Sequence, residues 1–108
     1  MDQHKIDMAA MRAAAARAGA LLKAMANPER LLLLCQLSQG ERSVGELERL
    51  LGIRQPTLSQ QLGVLRDEAL VATRRDGKQI IYSVASAPAL AMLHVLYQQF
   101  CAPARVPA

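Results

Sequence analysis

The chain has 108 residues, a net charge of +4, 52% hydrophobic residues and only 3% aromatic ones. That length makes one domain with a single core and is short for an enzyme with a lined pocket, while the charge favours a polyanionic partner. So few aromatics leave almost no stacking platform for single-stranded nucleic acid, and duplex DNA fits better than RNA.

From Ile6 to Met25 the chain is Ala-rich with scattered Leu and Met, which predicts a helix without a dense apolar face, one that wants a partner. Arg12 and Arg17 interrupt the stretch from Met8 to Ala20, so it is no signal-peptide core, and no apolar run approaches the roughly 18 residues of a membrane span. A cytoplasmic location is expected. Asn27-Pro28 reads as cap and first-turn residue of a second helix. That helix runs through Leu31, Leu32, Leu33, Leu34, Cys35 and Leu37, apolar nearly all round and so expected to be buried, until Gln39-Gly40 ends it.

A helix-turn-helix follows. Ser43 with Glu46 three residues on is a capping box, and Val44, Leu47, Leu50 and Leu51 fall at helical spacing before Gly52 stops the helix. After Ile53 and Arg54, Pro56 occupies the first turn of the next helix, where it costs no hydrogen bond, and Leu58, Leu62 and Leu65 share one face. The opposite face centres on Gln60, flanked by Pro56, Thr57, Ser59, Gly63 and Val64, and carries no charge. Neutral amides and hydroxyls suit base edges, Gln toward adenine and Ser or Thr toward several bases.

Val71–Arg75 and Lys78–Ser83 have strand composition, and Asp76-Gly77 between them signals a two-residue hairpin turn. Arg74, Arg75 and Lys78 cluster at its tip, where long cationic side chains on a projecting ribbon reach phosphates or the minor groove. The expected base-reading set is therefore Gln55, Thr57, Ser59 and Gln60, with Arg74, Arg75 and Lys78 on the DNA backbone. A last helix begins at Pro88 and runs to Cys101, with Leu93, Leu96, Tyr97 and Phe100 on one face, and residues 102–108, with two prolines, form a loose tail. The fold class predicted is mainly α with a small β-hairpin: a winged helix-turn-helix of five helices and a two-strand wing, one domain over residues 1–108. Its terminal helices, about 6–25 and 88–101, lack intrachain surface to pack on, which suggests a homodimer presenting two reading heads to double-stranded operator DNA. Neither the two scattered histidines nor Ser59, with no base nearby, makes a catalytic set, so an enzyme is not expected, nor any cofactor.

The order helix, helix, helix-turn-helix, wing, helix resembles the ArsR family of bacterial repressors over nearly the whole chain. Three stretches carry the resemblance: Ala24 to Leu31, Gln55 to Leu62, and Arg74 to Ser83. It implies a homodimer built on the first and last helices, an operator with two-fold symmetry and an inducer that releases the DNA. Many members sense metal, and a metal-responsive repressor is one alternative. But where the usual thiolate site has Cys-x-Cys, this chain reads Ser43-Val44-Gly45-Glu46-Leu47, and the last helix offers His94 with no Asp or Glu. A zinc site needs three or four ligands, so no metal site is expected.

Cys35 lies one turn after Leu31 and Cys101 one turn after Tyr97. From the residues alone the favoured reading is two buried free thiols acting as small hydrophobes, as in a general DNA-binding protein with two structural cysteines. Their positions resemble the dithiol of the SqrR- and BigR-like branch of the family, and that resemblance implies a redox-sensing pair which persulfides convert to a disulfide or polysulfide bridge. A bridge of more than two sulfurs spans a gap beyond the reach of a disulfide, which needs Cα atoms no more than about 7 Å apart.

Overall fold

A computed structural model of the protein describes residues 7–101. Helix α1 spans Met8–Met25, α2 Pro28–Ser38, α3 Val44–Leu51, α4 Thr57–Asp67 and α5 Ala87–Leu96, the last passing into one π-helical turn, Tyr97–Cys101. Strands β1 (Arg42–Ser43), β2 (Val71–Asp76) and β3 (Gln79–Val84) form one antiparallel sheet in the order β1-β3-β2. The predicted winged helix-turn-helix is the observed fold, with corrections at its joints. The expected start of α1 at Ile6 and the tail at 102–108 lie outside the described residues.

Local chemistry explains the helix ends. Asp7 caps α1 through the Ala9 amide, and Asn27 Oδ1 accepts from the Glu29 and Arg30 amides with Pro28 at the first helical position. The capping box of α3 is complete. The Ser43 amide donates to Glu46 Oε1 at 2.8 Å and the Glu46 amide donates to Ser43 Oγ at 3.2 Å, and the first of these holds the Glu46 carboxyl below its ordinary range. Gly52 then closes α3 in the left-handed region, φ +70°, where a Cβ is disfavoured. Pro56 turns out to be the cap residue of α4 rather than part of its first turn.

Three further expectations need correction. The two predicted wing strands are present as β2 and β3, but the sheet gains a third strand because Arg42-Ser43 pairs with Tyr82 and Ile81 of β3, and a two-residue strand is too short to show any alternation in sequence. The hairpin closes on Asp76↔Gln79, so Gly77 and Lys78 are its central residues, with Gly at the first of them at φ +63°, as in a type II′ turn. The last helix, expected to run unbroken from Pro88, starts at Ala87 behind a Ser86 cap and widens after Leu96 into the π turn.

Burial divides the chain sharply. Leu33, Leu34, Leu47, Leu58, Leu62 and Leu65 are fully buried, joining α2, α3 and α4 in one core that Leu70 and Val71 extend to the sheet and Ala89 and Leu93 to α5. Helix α2 is not buried all round as its composition suggested. Leu31 and Cys35 are half-buried and Leu32 is 49% exposed, because the elements packed around α2 leave one flank of it open. On α1 only Ala24 and Met25 are buried.

Helix α4 ends in a Schellman arrangement in which the Leu70 amide donates to the Leu65 carbonyl and Ala69 takes φ +59°, the left-handed position normally held by Gly. A Cβ there costs roughly 1–2 kcal/mol, partly offset by the smaller chain entropy of Ala. Ala69→Gly is expected to stabilise the protein by about 0.5–1 kcal/mol in denaturant titrations at fixed protein concentration, with loss of stability contradicting this account of the turn.

Candidate nucleic-acid interface and thiol pair

Because Leu58, Leu62 and Leu65 are all buried, the other face of α4 is turned out to solvent. Gln55, Ser59 and Gln60 are exposed and Thr57 is half-buried at the start of the helix. Gln55 and Ser59 are already paired. Gln55 Oε1 accepts from the Ser59 amide at 3.1 Å and from Ser59 Oγ at 2.6 Å, serving as the side-chain cap that Pro56 cannot supply. The Gln55 amide donors and the Ser59 oxygen stay available outward. Around Gly63 a Cβ would meet nothing within 4 Å, so this part of the face is flat and open.

Arg75 and Lys78 are exposed at the tip of the wing. Arg74 differs from them: it is folded back onto Glu41, with Nε donating to Oε2 at 3.1 Å and Nη2 to Oε1 at 2.8 Å. These bonds hold the Glu41 carboxyl below, and the Arg74 guanidinium above, their ordinary ranges. Both side chains are about half exposed, so the pair orients the arginine more than it stabilises the fold. Glu41 and Arg74 are 33 residues apart, and no sequence pattern joins them. Arg49 also escaped the sequence reading. It shares with Lys78 a groove of about 640 Å³ between the start of α3 and β3, which adds a second cation beside the wing.

Cys35 on α2 is half-buried, Cys101 at the end of the π turn is exposed, and both are free thiols. Burial, and then the charge of Cys101, push the Cys35 thiol above its ordinary range. Cys35 opens onto a cleft of about 470 Å³ between α2 and the last helix, lined among others by Ser38, Leu90, Leu93, His94 and Tyr97. Among the described residues no three His, Cys, Asp or Glu side chains converge to hold a metal ion, and no helix is long and apolar enough to cross a membrane.

Residues 27–73, from the cap of α2 into β2, match the family model described as bacterial regulatory protein, arsR family. The chain is 53% identical over 103 residues to the biofilm growth-associated repressor of Agrobacterium fabrum, covering 95% of this chain and 88% of that one. Among solved structures, the transcriptional repressor BigR from Xylella fastidiosa superposes with a TM-score of 0.81 at 49% identity, covering 90% of this chain and 99% of that one. A Mycobacterium bovis fragment described as a homodimeric winged helix-turn-helix DNA-binding domain matches at TM-score 0.70 and 27% identity, over all of both chains. With the capped helix pair, the hairpin wing and these likenesses in agreement, the chain belongs to the ArsR family of bacterial regulatory proteins.

Proposed function

We propose that the protein is a cytoplasmic, homodimeric repressor that binds operator DNA sequence-specifically, and that its Cys35/Cys101 dithiol takes sulfur from persulfides and thereby releases the DNA. The observation carrying this reading is that one free thiol, Cys35 on the core helix α2, opens onto the cleft against the last helix and a second, Cys101, ends that same helix, in a chain whose α4 offers an uncharged, open face. That the Agrobacterium and Xylella relatives are repressors supports the sign of the regulation. Exposed apolar residues on the terminal helices support the dimer: Met8, Met11 and Leu22 on α1, Leu90 and Val95 on α5, and Phe100, 82% exposed, after it. The Mycobacterium bovis likeness, homodimeric by its description, points the same way.

The sulfur chemistry balances without a further oxidant. A protein thiolate attacks the outer sulfur of a persulfide R–S–SH, R–S⁻ leaves, and the protein carries Cys–S–SH. The second thiolate attacks the cysteine-bound sulfur and expels HS⁻, leaving a disulfide. If both thiols are persulfidated first, Cys–S–S⁻ of one attacks the inner sulfur of the other, again expelling HS⁻ and leaving a three-sulfur bridge. Either bridge ties α2 to the end of the last helix and changes how the two protomers present α4. A coupling of about 1–3 kcal/mol lowers operator affinity five- to 150-fold.

Base reading and backbone contact separate by mutation. Gln60→Ala is expected to cost roughly 1–3 kcal/mol on the operator and relax sequence preference, while Lys78→Ala weakens all duplexes alike and lowers the salt slope by about one. Arg74→Ala is expected to change the slope less than Lys78→Ala, since its guanidinium is engaged by Glu41. Titrations of operator and random duplexes against salt check all three, and equal losses on both duplexes for Gln60→Ala would contradict base reading by that residue.

The thiols are tested in parallel. Cys35→Ser and Cys101→Ser are each expected to keep DNA binding and to lose its release by persulfide; a single-cysteine variant that still releases DNA would contradict the bridge. Because the Cys35 thiol sits above its ordinary range, its thiolate fraction at neutral pH is low and grows only as pH rises. Its alkylation rate is therefore expected to keep climbing past about pH 8.5, where an ordinary thiol is half ionised. In Cys101→Ser that rise is expected at lower pH, since one of its two causes is gone.

A further inference from the structure

Arg30, in the first turn of α2, joins three helices. Its Nε donates to the Ala24 carbonyl at 2.6 Å and its Nη2 to the Lys23 carbonyl at 3.3 Å, the latter shared with the Ala26 cap amide, both in the last turn of α1, where helix geometry leaves carbonyls short of intrahelical donors. The guanidinium also sits at the negative end of the α1 dipole. From the same group Nη1 donates to Gln61 Oε1 on α4 at 2.9 Å, and Gln61 Nε2 donates to Glu29 Oε1 at 3.3 Å. Both ends of the Gln61 amide are engaged, which leaves its side chain one orientation.

The rest of the contact between α2 and α4 is of another kind. Leu33, Leu34 and Leu37 meet Leu58, Leu62 and Leu65 in the common core, and apolar burial holds helices together without fixing direction. A planar guanidinium fork is directional. We propose that Arg30 and Gln61 are positioning residues that fix the rotation of α4 relative to α2, and so decide which side chains of α4 meet base edges. Gln61 directly follows Gln60, and turning α4 about its axis swings Gln60 away from a groove floor while leaving the wing in place. The inference rests on the reading of α4 as the DNA-reading helix. It also gives the dithiol a route to the DNA. Cys35 lies five residues after Arg30, about 7.5 Å further along the same helix, so a displacement of α2 is passed to α4 through this fork.

The test uses reduced full-length protein and two duplexes: one that the wild type selects from a random-sequence library, and one of equal length and scrambled sequence. Gln61→Leu keeps the volume and removes both bonds, and Arg30→Lys keeps the charge and removes the fork. Each variant is expected to lose about tenfold or more on the selected duplex while its affinity for the scrambled one stays within about twofold, at a temperature where thermal melts show it folded. A structural role alone lowers the melting temperature and leaves the ratio of the two affinities at its wild-type value, and that result overturns the inference. If Arg30→Lys fails to fold, Gln61→Leu decides the matter, being confined to a half-buried side chain. A wild type that selects no sequence removes the reading of α4 itself, and this inference with it. A wild type that selects, beside variants that keep its ratio, overturns this inference alone.

Discussion

Everything in this fold leans on one side of α2. That helix packs against α1, α3, α4, α5 and β3, and its buried leucines, Leu33, Leu34 and Leu37, are the common wall of the core. Each fully buried leucine contributes about 1.5–3 kcal/mol through removal from water, so the helices around α2 move as packed bodies rather than by opening the core. The same constraint sets the outward faces. With Leu58, Leu62 and Leu65 held against α2 and α3, α4 has no choice but to present Ser59 and Gln60 to solvent, and with so little of α1 buried, its apolar residues remain for a partner.

In the proposed function the hub also joins sensing to reading. Helix α2 carries Cys35 on a half-buried flank beside the last helix and Arg30 near its start beside α1 and α4. In the proposed switch, a sulfur bridge acts at the first point and the change is read at the second, inside one rigid element. Two-state behaviour then needs only a small rotation, because two heads must dock in successive major grooves at once and lose both contacts if either is misplaced. Arg74 fits the same economy of motion: Glu41, just ahead of β1, holds its guanidinium in place while Arg75 and Lys78 stay exposed beside it at the tip of the wing.

Much of the architecture was legible in the sequence because its signals are local. The Ser43/Glu46 capping box, the Gly52 stop, the leucine spacing of α4 and the strand-turn-strand composition each sit within a few residues and each has one structural meaning. What escaped is nonlocal or too short to be periodic. Strand β1 has two residues, the Arg74–Glu41 pair spans 33 positions and the Arg30–Gln61 bond 31, and no pattern along the chain records such meetings. The turn was placed one residue early because Asp-Gly is a common turn signal, whereas here Gly77 opens the turn and Asp76 pairs across it. Helix α2 read as wholly buried because its composition counts leucines without telling which flank is left open.

The central claim is that a sulfur link between Cys35 and Cys101 within one protomer is what lowers operator affinity. It is tested most directly by treating the operator-bound wild-type dimer with a substoichiometric persulfide, separating DNA-bound from released protein, and mapping sulfur linkages in each fraction by intact-mass and peptide mass spectrometry. The account predicts intraprotomer Cys35–Cys101 disulfide or polysulfide peptides concentrated in the released fraction and reduced thiols in the bound one. Released protein with two unlinked thiols, or bridged protein retained on the operator in equal measure, would contradict it.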